Sequence, residues 1–158
     1  MIAVRAGRPA DVPFVLGSIR ALAEFENLAH QFEGSADALS DHLFGPRPSC
    51  ELSIAEVDGE PRGYALFFST YSTFLTRPGL FLEDLFVLEP WRGRGLGRAL
   101  LVDLARKAVA RGCGRLEWSV LDWNRRAIDF YDSLGAKPVR GWIPYRLEGE
   151  ALARLGAA

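Results

Sequence analysis

The run Trp91-Arg92-Gly93-Arg94-Gly95-Leu96-Gly97-Arg98 stands directly behind a strand-like apolar stretch, Leu80 to Leu88, and directly before a helical one, Ala99 to Arg111. A strand that feeds a glycine-rich turn and then a helix is an α/β unit and a natural cradle for a pyrophosphate. The first turn of a helix leaves backbone N–H groups unpaired and carries partial positive charge. Gly93, Gly95 and Gly97 let a ligand approach that backbone, and Arg92, Arg94 and Arg98 offer charge-assisted donors around it. The expected ligand is a polyanion, and the plain alternative is a solvated connection.

Two common phosphate-binding patterns do not fit. A dinucleotide fingerprint, GxGxxG, would put its last glycine at Arg98 or Leu100. The nucleotide loop GxxxxGK(S/T) needs a Lys followed by a hydroxyl, and no such pair follows these glycines.

The remaining elements follow from periodicity. Ile2 to Ala6 alternates as a strand, and an apolar-periodic helix runs from Asp11 through Val12, Val15, Leu16, Ile19, Leu22 and Ala23. A shorter helix fits Ser35 to Phe44, capped by Ser35 and stopped at Gly45-Pro46. Glu51 to Val57 and Gly63 to Tyr71 form a hairpin about Asp58-Gly59; after a turn at Thr76-Arg77-Pro78-Gly79, Leu80 to Leu88 is a third long strand. Leu116 to Val120 is a further strand, Asn124 to Leu134 a helix ended by Gly135, and Val139 to Leu147 a strand that closes the sheet. A chain of 158 residues, 49% hydrophobic and 25% charged, buries enough to fold as one domain, 1–158.

A net charge of −1 gives no field to recruit nucleic acid or an acidic membrane. No apolar run is long enough for a signal peptide or membrane span, so a cytoplasmic location is expected. Cys50 and Cys113 lack metal-ligand spacing and only two histidines accompany them, so no metal is expected. Cys113 reads as a small apolar residue rather than a reactive thiol.

The spacing Arg92-x-x-Gly95-x-Gly97 resembles the (Q/R)xxGx(G/A) signature of the GNAT superfamily of N-acetyltransferases. The element order β-α-α-β-β-β-α-β-α-β matches that superfamily too. The resemblance implies a GNAT fold: a mixed, mostly antiparallel twisted sheet flanked by helices, with a splayed strand that binds acetyl-coenzyme A. On this chain the loop Arg92, Gly93, Arg94, Gly95, Leu96, Gly97 and Arg98 would hold the pyrophosphate, and the backbone of Leu85, Phe86 and Val87 the pantetheine arm.

Acetyl transfer to an amine needs a neutral nucleophile, a route for its proton and an acid for the departing thiolate. Asn124 and Tyr131 are expected about two turns apart on one helix face. Their segment resembles the WNxxAxxFY element of the superfamily, which implies that Asn124 contacts the cofactor and Tyr131 is the general acid; aromatic packing is the competing explanation. Glu83 and Asp84, adjacent in a strand, point to opposite faces, so one turns inward. Glu83 is the expected proton acceptor, directly or through water, against a structural salt bridge.

Leu22-Ala23-Glu24-Phe25-Glu26, Phe67 to Thr73, Leu82 to Val87 and Trp123-Asn124 resemble the diamine/thialysine (spermidine/spermine) acetyltransferase branch over nearly the whole chain. That resemblance implies a homodimer and a small-molecule amine substrate bound by Phe25, Glu26, Glu83 and Asp84. The chain departs from the branch at Lys137 to Trp142, where Arg140 replaces acidic character; it would repel a long polycation and pair with a substrate carboxylate. A lysine-like amino acid thus stands beside polyamines as acceptor. A non-catalytic acyl-coenzyme A sensor and a protein or peptide acetyltransferase are the rival readings.

Overall fold

In the computed structural model, which describes residues 1–158, the alternating stretches become one five-stranded sheet in sequence order. Its strands are β1 (Ile2–Ala6), β2 (Glu51–Val57), β3 (Glu60–Ser72), β4 (Arg77–Val87) and β5 (Leu116–Trp118). The first three pairings are antiparallel and β4–β5 is parallel, which gives the mixed, mostly antiparallel sheet expected. The helices are α1 (Val12–Phe25), α2 (Ala36–Phe44), α3 (Leu96–Ala110), α4 (Arg125–Ser133) and α5 (Gly149–Gly156). Two compact units make up the chain, Met1–Leu121 and Asp122–Ala158. No helix is long and apolar enough to cross a membrane.

Within the first unit the pleat sorts side chains onto two faces. Leu52, Ile54, Tyr64, Leu66 and Phe86 share one face and form a core with Val15 of α1 and Leu43 of α2. The opposite face meets α3, where the buried Ser53 hydroxyl donates to Asp103 Oδ2 at 2.7 Å. Leu96, Leu100 and Leu104 of α3 are at most 1% exposed, and burying each contributes about 1.5–3 kcal/mol. The β2–β3 hairpin turns on Asp58 and Gly59, both with positive φ (53° and 83°), as a twist-matched two-residue turn requires.

Several expected boundaries move. β4 begins at Arg77, paired with Ser72, so the turn is confined to the residues before it, with Thr76 at φ 52°. α3 starts at Leu96, because the glycine-rich run itself supplies its first residues. β5 stops at Trp118, short of Val120. The expected closing strand over Val139–Leu147 is absent: Pro138 and Pro144 lack the N–H a ladder needs, and Gly141 breaks the extension at φ 86°. α5 follows instead.

Candidate functional site

β4 keeps β5 as a partner only through Leu80↔Leu116, Phe81↔Glu117 and Leu82↔Trp118, whereas its pairing with β3 continues to Val87. From Glu83 to Val87 the strand therefore has a ladder on one side only, and the stretch containing Leu85, Phe86 and Val87 is the splayed segment anticipated from sequence. Beyond it, Gly93 and Gly95 adopt φ 76° and 90°, the left-handed region where a side chain is strained. A Cβ at either would meet nothing within 4 Å, so this corner is open.

Gly95 is the N-cap of α3 and no side chain caps the helix. The first-turn donors, on Leu96, Gly97 and Arg98, are thus left for a ligand, and an uncapped turn beside an open glycine corner fits a pyrophosphate such as that of acetyl-coenzyme A. The arginines divide differently from expectation. Arg92 turns inward: its Nε donates to the Val87 carbonyl at 2.9 Å, and its guanidinium lies 5.4 Å from the Phe25 ring centre and 5.6 Å from that of Phe86. Arg94 stacks on Trp91 at 4.8 Å, with Arg62 on the same ring at 4.9 Å. These contacts fix the loop against the end of β4, with Arg92 as a clamp between them. Arg98 remains exposed on the first turn of α3.

The two acids of β4 are separated by an irregularity in the ladder. Leu82 is opposite Phe67 and Asp84 is opposite Leu66, which leaves Glu83 as the extra, unpaired residue of a β-bulge. A regular strand would have put Glu83 opposite Leu66; the bulge gives that inward place to Asp84, on the face of Tyr64 and Phe86. Glu83 is exposed. The Tyr64 hydroxyl, fully buried, donates to Asp84 Oδ2 at 3.0 Å.

Burial, helped by the charges of Glu83 and Glu26, pushes the Asp84 carboxyl up to about 6, against the hydrogen bond from Tyr64, which favours the charged form. Burial raises Glu26 as well, and burial raises the Tyr64 phenol. Phe25, Glu26, Asp84, Phe86 and Arg92 thus gather where α1 ends beside β4. Sequence reading missed Tyr64. The available signal was its parity: it falls on the inward face of an alternating strand, where a phenol needs a polar partner.

In the second unit, Asn124 is not the first member of a helical face shared with Tyr131. It is the N-cap of α4, and its Oδ1 accepts from the Ala127 N–H at 3.2 Å. An Asn at that boundary satisfies an orphan donor, which is why the helix starts one residue later than expected. Tyr131 sits in α4, half-buried, its ring 5.5 Å from that of Phe130.

An uncapped, glycine-opened helix start behind a one-sided strand defines a corner suited to a phosphate-bearing ligand. Residues 19–136 match the Acetyltransferase (GNAT) family, and the chain belongs to that family and is an N-acetyltransferase. It is 37% identical over 163 residues to a thialysine N-epsilon-acetyltransferase of Mus musculus, covering 96% of this chain and 95% of the relative. It is 33% identical over 194 residues to an L-ornithine N5-acetyltransferase of Arabidopsis thaliana, covering 94% and 85%. Among solved structures, an integron cassette protein from the mobile metagenome of V. cholerae superposes with TM-score 0.82 at 24% identity, over 99% of this chain and 98% of the other.

Proposed function

We propose that this protein transfers the acetyl group of acetyl-coenzyme A to a primary amine of a small molecule: a diamine, a polyamine or a lysine-like amino acid such as thialysine. The observation that carries this reading is similarity along almost the entire chain to relatives named for thialysine and ornithine, both amino acids with a distal amine. The corner of Glu26, Glu83 and Asp84 supports it, since an ammonium suits clustered carboxylates. Arg140, exposed in the second unit, favours an acceptor that also bears a carboxylate.

Acetyl-coenzyme A supplies an activated thioester. The first turn of α3, from Leu96 to Arg98, and the glycines Gly93 and Gly95 bind its pyrophosphate, and the one-sided stretch Leu85–Val87 offers backbone partners to its arm. Asn124 is read as a further contact of the cofactor. Phe25, Glu26 and Asp84 hold the amine, Glu83 assists its deprotonation, and the Tyr131 hydroxyl protonates the departing thiolate. Replacing Tyr131 by Phe should lower kcat about 100-fold or more while leaving acetyl-coenzyme A affinity largely intact. Thiol release and calorimetric titration measure the two; full turnover in the variant would remove Tyr131 from the role.

The protein is read as a cytoplasmic homodimer without resident metal. Trp142, Ile143 and Tyr145 are 77%, 79% and 94% exposed, apolar area of the kind that association covers. Light scattering should give twice the mass of one chain, and a single-chain mass would contradict it.

A further inference from the structure

Asp84 is an unusual group for the inner face of a sheet. It is surrounded by Tyr64 of β3, by Glu26 just after α1 and by its neighbour Glu83, none of which is cationic. Arg92, the guanidinium over Phe25 and Phe86, is committed to those rings and to the Val87 carbonyl. Asp84 takes part in no ion pair, and the one hydrogen bond its side chain accepts comes from the Tyr64 hydroxyl. A carboxylate so placed has a fixed orientation and a high affinity for a proton, which are the properties a proton acceptor needs near neutral pH.

We propose that Tyr64 is a positioning residue for acetyl transfer: its hydroxyl orients Asp84 and keeps it ionised, so that Asp84 is the final seat of the proton lost by the substrate ammonium. This rests on the reading above that the acceptor is an amine. The step balances simply. R–NH₃⁺ and the Asp84 carboxylate become R–NH₂ and the Asp84 carboxylic acid, the proton moving directly or by way of the exposed Glu83. The amine lone pair then forms the C–N bond to the acetyl carbon as the C–S bond breaks, and the thiolate takes its proton from the general acid. Throughout, Tyr64 keeps its proton, because burial raises the phenol as well.

The two effects on Asp84 have opposite signs: burial favours its neutral form, and the Tyr64 hydrogen bond favours its charged form. Tyr64→Phe keeps the ring in the core and removes only the bond, so Asp84 should bind its proton more tightly. The titration of Asp84, followed by carbon NMR of the side-chain carboxyl and assigned with Asp84→Asn, should move up by about one pH unit in Tyr64→Phe. The acid limb of kcat/KM should move with it, giving about a five-fold loss near pH 6 that has almost gone by about pH 8.5. A titration that does not move, or an acid limb that stays in place while the titration moves, would overturn the proposal. Wild-type silence toward every small amine would overturn the parent reading and this one together; turnover with an unmoved limb would overturn this one alone.

Discussion

One guanidinium ties three elements of the first unit. Arg5 reaches Asp11 through both terminal nitrogens, at 2.7 and 2.8 Å, and Glu56 through Nε. Asp11 also accepts from the Arg8 N–H at 2.7 Å and is 5% exposed, so β1, β2 and the entry to α1 share one buried polar knot. The Arg5 guanidinium holds the Asp11 carboxyl below the usual carboxylate range, burial opposing it. A depressed folded-state value means the stabilisation is complete above the unfolded value of about 3.9 and is lost as pH falls through the folded one. Asp11→Asn should therefore cost about 2–4 kcal/mol near neutral pH, and the gap to wild type should narrow below about pH 4. Urea melts across that range measure it, and a gap that ignores pH would assign the cost to something other than charge. Sequence showed Arg5 and Asp11 only as ordinary charged residues, because their meeting depends on where α1 enters above the sheet.

At the scale of elements, the glycine-rich turn and the bulge of β4 carry the site. The turn is legible in the sequence alone, since glycine spacing ahead of a helix has a backbone cause that needs no tertiary context. The bulge is not: Glu83 and Asp84 are readable as a pair, with one turned inward, but which one depends on a register shift opposite Leu66 and Phe67. Arg92 belongs with the bulge. Its motif position is local, while its stacking on Phe25 and Phe86 needs α1 and β4 already packed. Asn124 misleads for a different reason, since a helix N-cap and a first-turn face position differ by a single residue.

Gly95 allows a direct test of the turn. Its φ of 90° penalises any side chain, yet a Cβ there meets nothing. Gly95→Ala should cost about 1–2 kcal/mol through the backbone alone. If the uncapped turn of α3 is the pyrophosphate seat, acetyl-coenzyme A affinity should fall by about ten-fold or more as the backbone donors shift. Thermal melts and calorimetric titration separate the two effects, and unchanged affinity at reduced stability would place the pyrophosphate elsewhere.

Over the whole molecule, the mixed sheet flanked by helices agrees with the fold class that the family resemblance implies, and the mismatch is concentrated after Gly135. The stretch over Val139–Leu147 alternates enough to read as a strand, but its prolines and Gly141 leave it irregular and its apolar side chains open to solvent. Alternation alone does not make a strand where prolines withhold the ladder donors and a glycine turns the backbone left-handed. Family membership settles the reaction class, N-acetyl transfer. The most direct measurement is mass spectrometry of the products after the protein meets acetyl-coenzyme A with thialysine, ornithine, a diamine, spermidine or a lysine-containing peptide, thiol release being counted in parallel. The account predicts one acetyl group on the distal amine of a small acceptor for each thiol released, with the amino acids preferred to spermidine. Acetylation of the peptide alone, or thiol release with no acetylated small amine, would contradict it.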